Sequence, residues 1–198
     1  FENYGQYWSY IKKHKIRSPK GELVKSFEEC EIANFLYTQG VDYIYEADYE
    51  HKTSDIGRRQ YQPDFYLPEH KIYIEHLGLK GFGRTAPFVD RKEYLQSLRW
   101  KRDLHKQHGT TLIETYSCEK SQGILTLRLK EKLEEKGVVF DELDPEKMFD
   151  MLHDKGRLDP FTGLVTSDII KHDQSFKKSI IFKFEYVISS FTITVKNL

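Results

Sequence analysis

The chain has 198 residues, 38% of them hydrophobic and 14% aromatic, which is enough apolar material for one domain, or one domain with an appended piece, and excludes global disorder. Lys plus Arg and Asp plus Glu each number 31, so the formal net charge is zero, and any attraction to a polyanion has to come from a local patch. Cys30 and Cys118 lie far apart and in no metal-type spacing, as expected of a reduced, cytoplasmic protein. No uncharged run is long enough to span a membrane and the N-terminus carries no signal-peptide pattern. The first residue is Phe1 rather than a methionine, as in a piece of a longer polypeptide.

Residues 1–22 mix aromatics with lysine and end in the turn signal SPKG. KSFEECEIANFLYTQG then predicts a helix. Ser26 caps it, Glu29 follows three residues later, Phe27, Ile32, Phe35 and Leu36 form the apolar side, and Gly40 ends it. Aromatic and β-branched residues predict strands over 41–49, 61–67 and 71–78, the last two joined by a hairpin at Pro68-Glu69-His70. A glycine-rich loop follows. A long helix is expected over 89–108, ended by Gly109, then a strand over 110–117 and an amphipathic helix ending at Gly137. Beyond Asp144-Pro145 the pattern weakens to a short helix near 146–153 and an alternating stretch, 179–195, read as strand. The order α-β-β-β-α-β-α implies an α/β fold with a mixed four-stranded sheet flanked by helices. It also divides the chain into an N-terminal extension (1–22), a central domain (23–143) and a C-terminal extension (144–198).

Two carboxylates stand out in QPDFYLPEHKIYIEHLG, residues 62–78: Asp64 and Glu75 lie within segments that otherwise read as strand. A buried unpaired carboxylate is costly and calls for a cationic partner. On adjoining strands of one hairpin the two would form an oxygen site for a hard divalent cation, Mg²⁺ or Mn²⁺, which the main-chain carbonyl of His76 could complete. Glu75 and Leu77 share a face, and His76 takes the other.

Pro63-Asp64, a hairpin and then Glu75-His76-Leu77 resemble the PD-(D/E)xK nuclease core. The segments SFEECEIANFLYTQGVDYIYEADY, YQPDFYLPEHKIYIEHLG and WKRDLHKQHGTTLIETYS, with the helix to Gly137, are similar to the nuclease-type domain of helicase IV-like superfamily 1 DNA helicases. The resemblance covers about residues 23–143. It implies a restriction-endonuclease-like αβββαβ core, DNA as substrate, a helicase motor on the same or a partner polypeptide, and a helical Glu, here Glu31, that assists the site. The chain departs from the family at Leu77, where a lysine is usual and normally steadies the developing phosphate charge. Lys101, near the apolar stripe of the following helix with Leu98 and His105, is the candidate to replace it.

Plainer readings stand beside these. Glu75 and Lys101 could form a structural ion pair, Glu31 could be an ordinary exposed acid, and Glu114 could support the site from the fourth strand. Arg58, Arg59, Arg91, Lys92, Lys101, Arg102 and Lys106 could form a phosphate-binding face or a merely solvated one. His105 and His108 lack the further ligands a zinc site needs. GxxxxGK[ST] is absent, so the chain carries no motor of its own. The expected function is a Mg²⁺- or Mn²⁺-dependent deoxyribonuclease. The rivals are a nuclease fold without chemistry that binds DNA or docks a protein, and a nuclease acting on RNA.

Overall fold

A computed structural model of the chain describes residues 3–14, 16–57, 59–79 and 89–141. In chain order the elements are α1 (Tyr4–His14), α2 (Phe27–Thr38), β1 (Ile44–Tyr45), β2 (Phe65–Leu67), β3 (Ile72–Leu77), α3 (Arg91–His108), β4 (Thr111–Tyr116), α4 (Ser117–Ser121) and α5 (Leu125–Glu134). The chain divides after Glu142. The expected helix near 146–153 and strand over 179–195 lie outside the described residues.

The four strands form one mixed sheet in the order β1-β2-β3-β4. β1 with β2 and β2 with β3 are antiparallel, while β3 with β4 is parallel. A hairpin can join the antiparallel strands, but a parallel neighbour needs a crossover, and α3 supplies it. The strand segments are shorter than their sequence patterns. Expected over 41–49 and 61–67, the first two pair only at Ile44–Tyr45 and Phe65–Leu67. Two helices, α1 and α4, have no counterpart in the sequence pattern. At five residues, α4 is too short to show a helical period.

Alternation along the strands sorts the side chains into two layers. Phe65, Leu67, Ile72, Ile74 and Ile113 face one way and pack with Ile32, Ala33 and Leu36 of α2 and Leu125, Leu129 and Leu133 of α5. On the opposite face Tyr73 is buried with Tyr49, Tyr61 and Leu104, against which Tyr66, Trp100 and Leu112 pack. The first layer is aliphatic and fills the interior. The second is aromatic and polar, and the carboxylates of interest open onto it.

Helix ends are set by local chemistry. The Ser26 hydroxyl accepts from the Glu29 N–H at 3.0 Å and begins α2. After α2 the chain turns at Gly40, whose backbone φ is +69° and where an added Cβ would meet the Asp141 carbonyl oxygen at 2.2 Å, so only glycine fits. Asp90 accepts from the N–H groups of Lys92 and Glu93 to begin α3, and Gly109, with φ of +68°, ends it.

Candidate active site

Asp64 precedes the first paired residue of β2. In the β2–β3 register Phe65 lies opposite Ile74, so one further step places Asp64 opposite Glu75. The ladder is replaced at that step. Asp64 Oδ2 itself accepts the N–H of His76 at 2.6 Å, while the Asp64 carbonyl accepts from Glu46 N at 3.0 Å. Glu46 holds an uncommon left-handed backbone, with φ of +49°. Regular β2–β3 pairing ends here, while Glu75 stays within β3, in register with Glu114 of β4.

Glu75 is only 3% exposed. Its Oε1 accepts from the Tyr61 hydroxyl at 2.7 Å and its Oε2 from Lys101 Nζ at 2.5 Å. The Lys101 ammonium also lies 5.4 Å from the centroid of the Tyr61 ring. The ion pair read from sequence as a plainer alternative is therefore present, and it brings the α3 lysine to the carboxylate opposite Asp64. Leu77 is buried on the same strand.

The α2 acid that acts electrostatically on Asp64 is Glu29. Glu29 Oε1 accepts from Ser26 Oγ at 2.9 Å, and Oε2 accepts from the Tyr45 hydroxyl at 2.5 Å and Lys25 N at 3.1 Å. Glu31 instead pairs with Lys120 of α4. Glu29, Ile32, Ala33 and Leu36 are spaced i, i+3, i+4 and i+7 and are all buried. Glu31 is off that stripe. Burial, then the charges of Glu75 and Glu29, hold the Asp64 carboxyl well above the ordinary carboxylate range, against the opposing His76 N–H and Lys101. Burial raises Glu29 too.

The imidazole of His76 turns away from the carboxylates. Its Nδ1 lies 3.0 Å from Thr115 Oγ1 and its Nε2 3.4 Å from Ser117 Oγ, and burial lowers its pKa to about 4. Only its main chain is beside Asp64. Glu114, in register with Glu75 on β4, is held by Arg102 through Nε at 2.6 Å and a second nitrogen at 2.8 Å, and by the Tyr116 hydroxyl at 2.7 Å. Arg102 is thus committed to a carboxylate. Arg59 and Lys106 are exposed, and Arg58 lies outside the described residues. A cleft of about 490 Å³ opens beside this group, lined by Arg102, His105, Thr110, Glu114, Tyr116 and Lys132 among others.

Among the described residues, no three His, Cys, Asp or Glu side chains are gathered so as to hold a metal ion on their own. Mg²⁺ does not require such a cage. It is commonly held by one or two carboxylates, with waters and substrate phosphate oxygens completing the shell. The donor set fits that mode: hard oxygen ligands from Asp64 and Glu75, with the Glu29 carboxyl electrostatically coupled to Asp64.

No protein-family profile matches the chain, and no solved structure matches it. It is similar to an uncharacterized protein of Methanocaldococcus jannaschii, 25% identical over 141 residues, a match that covers 68% of this chain and 11% of the length of that relative. Among the described residues no helix is long and apolar enough to cross a membrane.

Proposed function

We propose that the chain is a metal-dependent nuclease domain of the PD-(D/E)xK type, hydrolysing DNA phosphodiester bonds and working with a helicase motor on the same or a partner polypeptide. The observation that carries this reading is the β2–β3 register, which extended by one step sets Asp64 opposite Glu75, with Lys101 of the crossover helix on Glu75. Asp64 and Glu75 would hold Mg²⁺ or Mn²⁺, with the His76 carbonyl as a third oxygen. Such an ion, when bound, lowers the pKa of a water nucleophile and offsets charge on a phosphoryl oxygen. Lys101 presents a fixed cation at the same place, where a preorganised charge stabilises the developing phosphate charge. Glu29, near enough to Asp64 to raise its pKa, takes the assisting role that the resemblance gives to Glu31. Arg59 and Lys106 would meet the phosphate backbone.

A second reading has its own observation. Glu75 is almost fully buried and already satisfied by Tyr61 and Lys101, and Leu77 stands where a lysine is usual. A nuclease fold that binds DNA or docks a protein without cutting would have the same features. The test is cleavage of plasmid DNA, single-stranded DNA and RNA with Mg²⁺, Mn²⁺ or EDTA, wild type beside Asp64→Ala. Metal-dependent cutting of DNA lost in Asp64→Ala supports the nuclease. Binding without cutting under either metal selects the module, and cutting confined to RNA changes the substrate.

A further inference from the structure

Behind Glu75 runs a chain of side-chain hydrogen bonds. The Tyr61 hydroxyl, on a residue 6% exposed, lies 2.7 Å from Glu75 Oε1 and 3.3 Å from His105 Nε2. His105, 2% exposed, places Nδ1 2.7 Å from Thr110 Oγ1, which is 2.7 Å from the Tyr49 hydroxyl. The series links Glu75 to Tyr49 through groups on β3, the loop before β2, α3 and the residue that precedes β4.

The direction of each bond follows from the acceptor at the end. Glu75 is ion-paired with Lys101 and can only accept, so Tyr61 gives its single hydroxyl proton there. The Tyr61 oxygen is then an acceptor for His105, and the ring proton belongs on Nε2. In a neutral imidazole that leaves Nδ1 bare, to accept from Thr110. Thr110 in turn accepts from Tyr49. Its other approach, to the His105 carbonyl, is 3.5 Å and too long to compete. The His105 to Tyr61 link at 3.3 Å is the longest in the series and the weakest.

We propose that this directed chain is a positioning device in which Tyr61, oriented by His105, holds the Glu75 carboxylate beside Asp64 in the geometry a divalent ion requires. The proposal rests on the nuclease reading. Tyr61 and His105 touch neither metal nor substrate in it; they act through Glu75, as groups behind a metal ligand commonly fix its orientation and basicity. Burial and the neighbouring Lys101 charge also favour a neutral His105.

The test measures Mn²⁺ affinity by calorimetry on the full chain, with DNA cleavage and thermal unfolding in parallel, for wild type, Tyr61→Phe, His105→Leu and His105→Gln. Removing a group behind a metal ligand weakens binding by about ten- to a hundredfold. Tyr61→Phe is expected to lose Mn²⁺ affinity in that range, and His105→Leu to lose less. His105→Gln, which can still offer an N–H to Tyr61, should recover most of the loss. Nitrogen-15 NMR of the wild type should find His105 neutral with its proton on Nε2. Unchanged Mn²⁺ affinity and cleavage in a folded Tyr61→Phe overturn the positioning role and leave the nuclease reading standing, as does a proton on Nδ1. A wild type that neither binds Mn²⁺ nor cuts overturns both.

Discussion

Lys101 and Glu75, 26 positions apart in the chain, meet at 2.5 Å with Glu75 buried at 3% exposure and Lys101 at 25%. The pair is made by topology. The parallel addition of β4 forces the chain to cross over, α3 is the crossover, and its inward side passes over the face of β3 that carries Glu75. An ammonium held there is unlike a surface ion pair, because its carboxylate partner is almost without solvent. Breaking such a pair from one side leaves a charge uncompensated.

That asymmetry separates stability from chemistry. Lys101→Met is expected to lower the melting temperature and to cut DNA at least a hundredfold more slowly, the scale associated with losing a preorganised charge. Adding Glu75→Gln should restore much of the stability, since Tyr61 can still donate to the amide oxygen, yet no cleavage should return. Lys106→Ala, on the exposed side of α3, should leave the melting temperature and the cleavage rate at saturating DNA unchanged, whatever it does to affinity. A Lys101→Met protein that cuts as fast as wild type would remove the lysine from the mechanism.

Binding to nucleic acid should follow phosphate rather than base sequence, because no recognition helix or finger motif is visible among the described residues. Arg59→Ala and Lys106→Ala should each weaken all DNA sequences alike and make the slope of the salt dependence shallower by about one for each phosphate no longer neutralised. Arg102 should behave differently. Its guanidinium is held in two hydrogen bonds by Glu114, so Arg102→Ala is expected to lower stability by freeing that carboxylate. Gel-shift titrations at several salt concentrations, with melting curves for each variant, separate the two classes. Strong preference for one DNA sequence would count against the backbone-binding reading.

The mixed sheet and the β2–β3 hairpin that brings Asp64 and Glu75 together were legible because strand periodicity and the turn signal at Pro68–His70 mark them. Lys101 was legible for a related reason, as a charge on an otherwise apolar stripe. Tyr61 was not. It lies outside a strand, and nothing in YQPD distinguishes a tyrosine packed in the core from one whose hydroxyl serves a carboxylate. Glu29 reads as part of a helix cap, and it is, since its N–H goes to Ser26. The same residue falls on the buried stripe of α2, and burial there brings its carboxylate towards Asp64. Resemblance favours Glu31, and the apolar side read from Phe27, Ile32, Phe35 and Leu36 does not separate the two acids; the buried stripe through Ala33 does. The strand patterns run past the paired residues because aromatic content continues into Tyr49 and Tyr61, which pack beside the sheet rather than within it.

The Asp64 carboxyl gives the sharpest test, because its proposed metal-binding role and the stability of the fold pull in opposite directions. Burial and the charges of Glu75 and Glu29 raise its pKa in the folded, metal-free protein. The folded state therefore holds the proton more tightly than the unfolded chain, whose aspartates titrate near ~3.9. Between those two values the folded state binds more protons, so the stability supplied by protonated Asp64 falls as pH rises. It is fully present below the unfolded pKa and lost once pH passes the raised folded value. Asp64→Asn removes the charge and keeps an oxygen to accept from His76. At neutral pH this variant is expected to melt higher than wild type, about 2–4 °C for each kcal/mol recovered, with the difference closing as pH approaches 4. Mg²⁺ should raise the melting temperature of wild type by binding the folded state, and should do little for Asp64→Asn. Melting curves from pH 4 to 8, with and without Mg²⁺, decide it. An Asp64→Asn protein less stable than wild type at pH 7 without metal, or one stabilised equally by Mg²⁺, would mean that this carboxylate is a structural acceptor and that the metal, if any, is held elsewhere.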